Sequence, residues 1–323
     1  MIAMYTNLVS FIVPCFNEAE NIADLLASIQ EEMKQEDYMY EVLFIDDGST
    51  DGTLEEMERL SFDEEVVKYI SLSRNFGKES CMLAGLHHAE GDAVILMDAD
   101  LQHPPELVHE LLHHYEHGYD QVIAKRNRKG DSWARSKVSS LYYKIVNKMV
   151  DVELEDGEGD FRLLSRKAVT SLLTLSEGIR FSKGLYSWIG HDSITITYEN
   201  EQRQNGESKW STAKLLNYGI DGVISFNHKP LRLCFYAGAV ILLLALAYIG
   251  YMFVNTLING IGVPGYFTVI SAVLFLGGVQ LVCLGIIGEY IGRIYYETKQ
   301  RPHYLVKQSN ILPKEEKQKT FMQ

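Results

Sequence analysis

Two stretches in the 323-residue chain, Leu233 to Leu257 and Tyr266 to Gly288, contain no charged residue. Nothing else in the sequence limits the fold as much. At 1.5 Å per residue, each is long enough to cross a hydrocarbon layer of about 30 Å. A helix in a soluble core is rarely apolar on every side for that length. The link between them, Ile258 to Gly265, is uncharged and holds Asn259, Gly260, Gly262 and Pro264. Basic residues flank the outer ends: Lys229 and Arg232 before, Arg293, Lys299 and Arg301 after. The positive-inside rule then puts both outer ends in the cytosol, joined by a hairpin.

The residues before this hairpin have a different grain. Leu8 to Val13, Tyr40 to Ile45, Val66 to Leu72, Ala93 to Met97 and Gln121 to Ala124 are short apolar runs that read as buried strands. Between them lie helical spacings. One is Ile22, Leu25, Leu26, Ile29 and Met33, preceded by Asn17-Glu-Ala-Glu20 as a capping-box pattern. Others run from Thr53 to Leu60, through Leu83 and Leu86, and onward from Pro104-Pro105. Alternation at this spacing predicts an α/β layer with a mostly parallel sheet. A further helix is expected over 133–150, and a strand over Ile194 to Tyr198 within a less regular region, 151–200. Apolar positions 215, 216, 220, 223 and 224 form one stripe between Trp210 and Phe226, which suits a helix lying on the membrane surface. An ordinary core-facing helix is the plainer alternative.

Charge excludes one class of partner. With 30 Lys and Arg against 43 Asp and Glu, the net charge is −13, the wrong sign for a nucleic-acid binder. An anionic ligand must therefore be held by a local basic cluster or by a metal. The four cysteines, Cys15, Cys81, Cys234 and Cys283, show no CxxC spacing and read as reduced thiols. The N-terminal run has no basic region and ends its apolar stretch at Pro14, so no signal peptide is expected.

Parallel α/β sheets bind ligands at the carboxyl ends of their strands. Two acidic motifs fall there: Asp46-Asp47-Gly48-Ser49-Thr50-Asp51-Gly52 after the second strand, and Asp98-Ala99-Asp100-Leu101-Gln102 after the fourth. Carboxylates two apart on extended chain face one side and suit Mg²⁺ or Mn²⁺, hard cations that also take diphosphate oxygens. The plain alternatives are polar caps and an Asp/Gly turn. No glycine-rich phosphate loop is present. Arg126, Arg128, Arg203 and Lys209 are basic candidates for phosphates, with solvated surface as the alternative. His109, His113, His114 and His117 are dense enough to raise zinc, but no third ligand is evident and a solvated helix face is favoured.

Taken together, the chain resembles family 2 glycosyltransferases of the dolichyl-phosphate mannosyltransferase type, especially bacterial polyprenyl-phosphate glycosyltransferases with two membrane spans. The resemblance rests on Val13-Pro14-Cys15-Phe16-Asn17-Glu18, the two acidic motifs, Gly159-Asp160-Phe161-Arg162-Leu163, Asn205-Gly206-Glu207-Ser208-Lys209-Trp210-Ser211 and Gly288-Glu289-Tyr290-Ile291-Gly292-Arg293. It implies a cytosolic GT-A domain over 1–207, an interfacial helix region over 208–232, a hairpin over 233–290 and a cytosolic tail over 291–323. It implies that Pro14, Phe16, Glu18, Ile45, Asp47 and Ala99 line the nucleotide, and that Asp98, Asp100 and Gln102 surround the metal. Arg126, Arg128, Arg203, Ser208 and Lys209 would then meet the donor and its phosphates. Asp160 and Asp100 are the catalytic candidates. Phe16 stands where the family often has Tyr.

The expected reaction is transfer with inversion from a nucleotide diphosphate sugar to a polyprenyl phosphate. UDP-glucose and UDP-N-acetylglucosamine lead as donors, with GDP-mannose third. A lipid phosphate is already largely ionised at pH 7, so Asp160 is expected mainly to orient it. A scaffold with a degenerate transferase fold is disfavoured by the intact Asp98, Asp100 and Asp160. A processive synthase lacks its QxxRW signature here, and a transporter lacks ionisable residues in its spans. The sequence leaves a homo-oligomer open.

Overall fold

The computed structural model describes residues 7–127, 158–178, 180–199 and 265–311, with scattered positions between 236 and 259. Its centre is an eight-stranded sheet. In chain order the elements are β1 (Leu8–Cys15), α1 (Ile22–Met33), β2 (Met39–Asp46), α2 (Thr53–Asp63), β3 (Val67–Leu72), α3 (Lys78–His88), β4 (Ala93–Leu96), α4 (Leu107–Glu116), β5 (Gln121–Asn127), β6 (Glu158–Ser165), α5 (Arg166–Thr174), α6 (Ser182–Trp188), β7 (Ser193–Glu199), α7 (Tyr266–Thr298) and β8 (Val306–Ser309). The strand order is β7-β5-β6-β4-β1-β2-β3-β8.

The expected parallel sheet is present. β1 pairs parallel with β2 and β4, β2 with β3, and β5 with β7. The central strands are apolar on both faces because helices cover both, which removes the alternation of a half-exposed strand. Val9, Phe11, Val13 and Phe44 pack beneath α1, α2 and α4. Ile12, Leu43, Ile45 and Ile70 pack on the other side under α3, α5 and α6. Each such side chain contributes about 1.5–3 kcal/mol of burial. Gly85 lets α3 lie directly on β1: a Cβ there would stand 2.3 Å from Ile12 Cγ2.

Two strands run against the rest. β6 is antiparallel to both β4 and β5, and β8 is antiparallel to β3. The region read from sequence as less regular thus contributes an inner strand and two helices. Its polar start, Glu158-Gly-Asp160, conceals a strand whose buried part begins only at Phe161.

The capping-box reading needs correction. α1 begins at Ile22 with Asn21 at its cap position and no side-chain capping bond. Asn17 lies outside the helix with φ +56, and its side chain instead accepts the N–H of Thr50 at 2.9 Å. Cross-loop stitching wins over helix capping at this residue.

Among the described residues one helix is long and apolar enough to cross a membrane, spanning Phe275–Thr298 within α7. Its apolar side chains point outward, Leu281 being 70% exposed. The described positions between 236 and 259 are also helical. α7 continues ten residues past Gly288, where the second span was expected to end. Glu289 and Arg293, a loose pair at 3.9 Å one turn apart, end the apolar stretch without ending the helix. The chain then returns to the sheet. Gly178 N–H donates to Glu297 at 2.6 Å, Ser73 N–H donates to the Leu305 carbonyl at 2.8 Å, and β8 covers the edge of β3. The expected helices over 133–150 and 210–226 lie outside the described residues.

Candidate active site

The carboxyl ends of β1, β2 and β4 meet at one rim of the sheet. There the loops after β1 and β2 are stitched together. Asn17 N–H donates to Ser49 Oγ at 2.9 Å, Thr50 N–H to Asn17 Oδ1 at 2.9 Å, and Glu18 N–H to Thr53 Oγ1 at 2.9 Å. Asp51 accepts the Thr53 N–H at 3.0 Å, tying the first acidic motif to the first residue of α2, whose cap position is Gly52. Pro14, Phe16 and Glu18 are half-buried along this rim. Ile45 and Ala99 are buried just beneath it.

Asp47 lies below the rim, 4% exposed. Its Oδ1 accepts the Phe76 N–H at 2.7 Å and its Oδ2 the Gly77 N–H at 2.9 Å. Burial raises its carboxyl above the ordinary value, and these two N–H groups oppose the rise. Gly48 allows the β3–α3 loop to close over this point. It has φ +67, and a Cβ there would stand 2.7 Å from the Arg74 carbonyl carbon. The first acidic motif therefore fixes the loop that begins α3.

The first residue of α3 is Lys78. Its Nζ lies 2.5 Å from Asp98 Oδ1 and 2.7 Å from Asp160 Oδ2. Sheet register explains the meeting. Leu96 pairs with Arg162 across the antiparallel β4 and β6. Carried two residues further, the same register sets Asp98 opposite Asp160. The sequence reading named both carboxylates but not the lysine between them. Burial alone would raise the Asp160 carboxyl, but Lys78 first and then Lys183 outweigh it and hold it well below the usual carboxylate range. Burial likewise opposes the ionised Asp98, and Lys78 followed by His103 lowers it again. For Lys78 itself, burial favours the neutral amine, but Asp160 and Asp98 raise it far above its ordinary value.

His103, also unforeseen, is buried and stacked on Phe161 at 4.6 Å. Its Nδ1 accepts the Asp98 N–H at 3.1 Å, which places its remaining proton on Nε2, 4.0 Å from Asp98 Oδ2. Burial keeps its pKa below the ordinary value. Arg162 donates to the Gly159 carbonyl at 2.8 Å and lies 3.9 Å from the Tyr186 ring centroid. Asp160 thus has Lys78 as its close partner rather than Arg162.

After Asp98 the chain turns at Leu101, φ +56, and Asp100 Oδ1 accepts the Gln102 N–H at 3.3 Å. Asp98 and Asp100 supply hard oxygen donors of the kind Mg²⁺ or Mn²⁺ requires. Among the described residues, no three of His, Cys, Asp and Glu are grouped to hold a metal. The donor set therefore fits an ion that brings phosphate oxygens with it, rather than a closed resident site. Arg126 stands exposed at the end of β5, on the same rim as Asp98. Arg128, Arg203, Ser208 and Lys209 lie outside the described residues. Zinc is not supported at the histidine-rich helix. His109 bonds Glu36 through Nδ1 at 2.5 Å and Glu32 through Nε2 at 2.7 Å, and His117 Nδ1 bonds the His113 carbonyl at 2.7 Å. Cys15 and Cys81 are free and buried.

Residues 10–173 match the profile of "Glycosyl transferase family 2", and residues 229–294 that of the "GtrB C-terminal hairpin". The chain is 63% identical to CsbB of Bacillus subtilis (strain 168), described only as a candidate glycosyltransferase, with 95% of this chain and 94% of that one covered. It is 40% identical to the SfII prophage-derived bactoprenol glucosyl transferase of Shigella flexneri, over 94% of this chain and 98% of that one. It is 39% identical to a prophage bactoprenol glucosyl transferase homolog of Escherichia coli (strain K12), over 93% and 98%.

Proposed function

Since the chain belongs to glycosyltransferase family 2, we propose that it transfers a sugar, glucose or N-acetylglucosamine, from a UDP-sugar to a polyprenyl phosphate at the cytosolic face of a membrane. One observation carries the reading. A donor-side carboxylate, Asp98, and a carboxylate from a different strand, Asp160, converge at the carboxyl end of the sheet, within reach of one lysine. The acceptor class is supported by the 40%-identical bactoprenol glucosyl transferase and by the apolar α7 joined to this domain.

In this reading Pro14, Phe16, Glu18, Ile45, Asp47 and Ala99 shape the nucleotide site. Arg126, Arg128, Arg203, Ser208 and Lys209 hold phosphates. Asp98, Asp100 and Gln102 would hold Mg²⁺ or Mn²⁺, which neutralises charge on the departing diphosphate. A lipid phosphate oxygen attacks the anomeric carbon as the bond to UDP breaks, with inversion. The nucleophile needs little deprotonation because the second pKa of a phosphate monoester is about 6. Asp160 therefore aligns the acceptor, and positioning supplies much of the rate.

The test is incubation of the purified full chain with undecaprenyl phosphate and, separately, labelled UDP-glucose, UDP-N-acetylglucosamine and GDP-mannose. A lipid-linked sugar formed from one UDP donor is expected. Transfer only from GDP-mannose would correct the donor, and transfer from none would reject the reading.

A further inference from the structure

Lys78 belongs to neither acidic motif, yet it is the point at which they communicate. Asp47, in the first motif, grips the N–H groups of Phe76 and Gly77, the two residues before Lys78. Gly77, φ +96, starts α3 so that its first side chain faces the rim. The ammonium then spans Asp98 of the second motif and Asp160 of β6. Two carboxylates brought together by register alone would repel, and a lysine between them removes the penalty. A side chain that is a third exposed can also withdraw toward solvent.

We propose that Lys78 is a positioning residue for sugar transfer: it holds Asp160 in line with Asp98 and is the cation that a divalent ion must displace from Asp98 when the donor arrives. The proposal rests on the transferase reading above and adds a residue to it. In the donor-free protein one positive charge serves both carboxylates. When a metal with its diphosphate takes Asp98, Lys78 keeps Asp160 and so keeps the acceptor side in register.

The purified full chain and its variants Lys78→Met, Lys78→Arg, Asp160→Asn and Lys78→Met/Asp160→Asn are to be compared at matched melting behaviour. Mn²⁺ alone, titrated without nucleotide and followed by electron paramagnetic resonance, should bind Lys78→Met severalfold more tightly than wild type, since a competing cation is gone. In lipid glycosylation, Lys78→Met should lose roughly 10- to 100-fold in kcat with little change in donor KM. Lys78→Arg should recover a substantial part of that loss. The double variant should be no slower than Asp160→Asn alone, because Lys78 acts through Asp160. Losses that multiply in the double variant, or Mn²⁺ affinity that is unchanged or weaker in Lys78→Met, would overturn the proposal. If the wild type transfers no sugar, the function assigned above fails, and the Mn²⁺ titration still decides whether Lys78 guards Asp98.

Discussion

His109 is clamped between two carboxylates, Glu32 in the last turn of α1 and Glu36 just beyond its end. The Glu36 bond first, and Glu32 with it, raises its pKa above the ordinary value. A group whose folded pKa is raised stabilises the fold most when protonated. That contribution is complete below the unfolded value of about 6.5 and fades as pH rises through the higher folded value. His109→Gln should therefore lower Tm most near pH 5.5 and progressively less toward about pH 8.5. A difference that stays constant or grows with pH would contradict the clamp. At this scale short motifs made Asp98, Asp100 and Asp160 legible as candidates, and the structure brings Asp98 and Asp160 to one lysine. Lys78 and His103 were not. Lys78 is 20 residues from one partner and 82 from the other, so no local spacing could mark it. His103 sits beside two prolines and reads as a turn residue until Phe161 is placed against it.

Among the elements, β1 to β5 were legible because burial on both faces writes them as continuous apolar runs. β8, with the sequence Val-Lys-Gln-Ser, carries no such signature and falls in the stretch expected only to be a cytosolic tail, 291–323. What holds it is backbone pairing and the polar side chains of Gln308, Ser309 and Asn310. Asn310 Oδ1 accepts the Tyr69 N–H at 2.8 Å, and its Nδ2 donates to the Val67 carbonyl at 3.1 Å, so an amide side chain continues the ladder past the end of the strand. Gln308 adds a bond to the Tyr69 hydroxyl at 3.0 Å. Asn310→Ala should remove two hydrogen bonds and lower stability by about 1–2 kcal/mol. Hydrogen exchange should rise at the Tyr69 amide before it rises in β1. Unchanged protection at Tyr69 would mean that the edge is held by β8 alone.

On the scale of the whole molecule, α7 is about 50 Å long at 1.5 Å per residue, roughly 20 Å more than a hydrocarbon layer needs. The surplus turns lie on the side where the chain rejoins the catalytic sheet through Glu297, Leu305 and β8. In the proposed topology, the basic residues at both outer ends of the hairpin place that side in the cytosol. A cysteine at Gly262, placed in a chain freed of its own cysteines, should react with an impermeant reagent added outside intact cells. Reaction only after the cytosol is opened would reverse this topology. The returning strand also sets an order of manufacture. A ribosome makes β3 early and β8 only after both apolar stretches have emerged. Until then β3 offers an unpaired edge of the kind that recruits other chains. The sheet is finished by the segment that follows the hairpin, so β3 keeps an open edge until nearly the whole chain has been made.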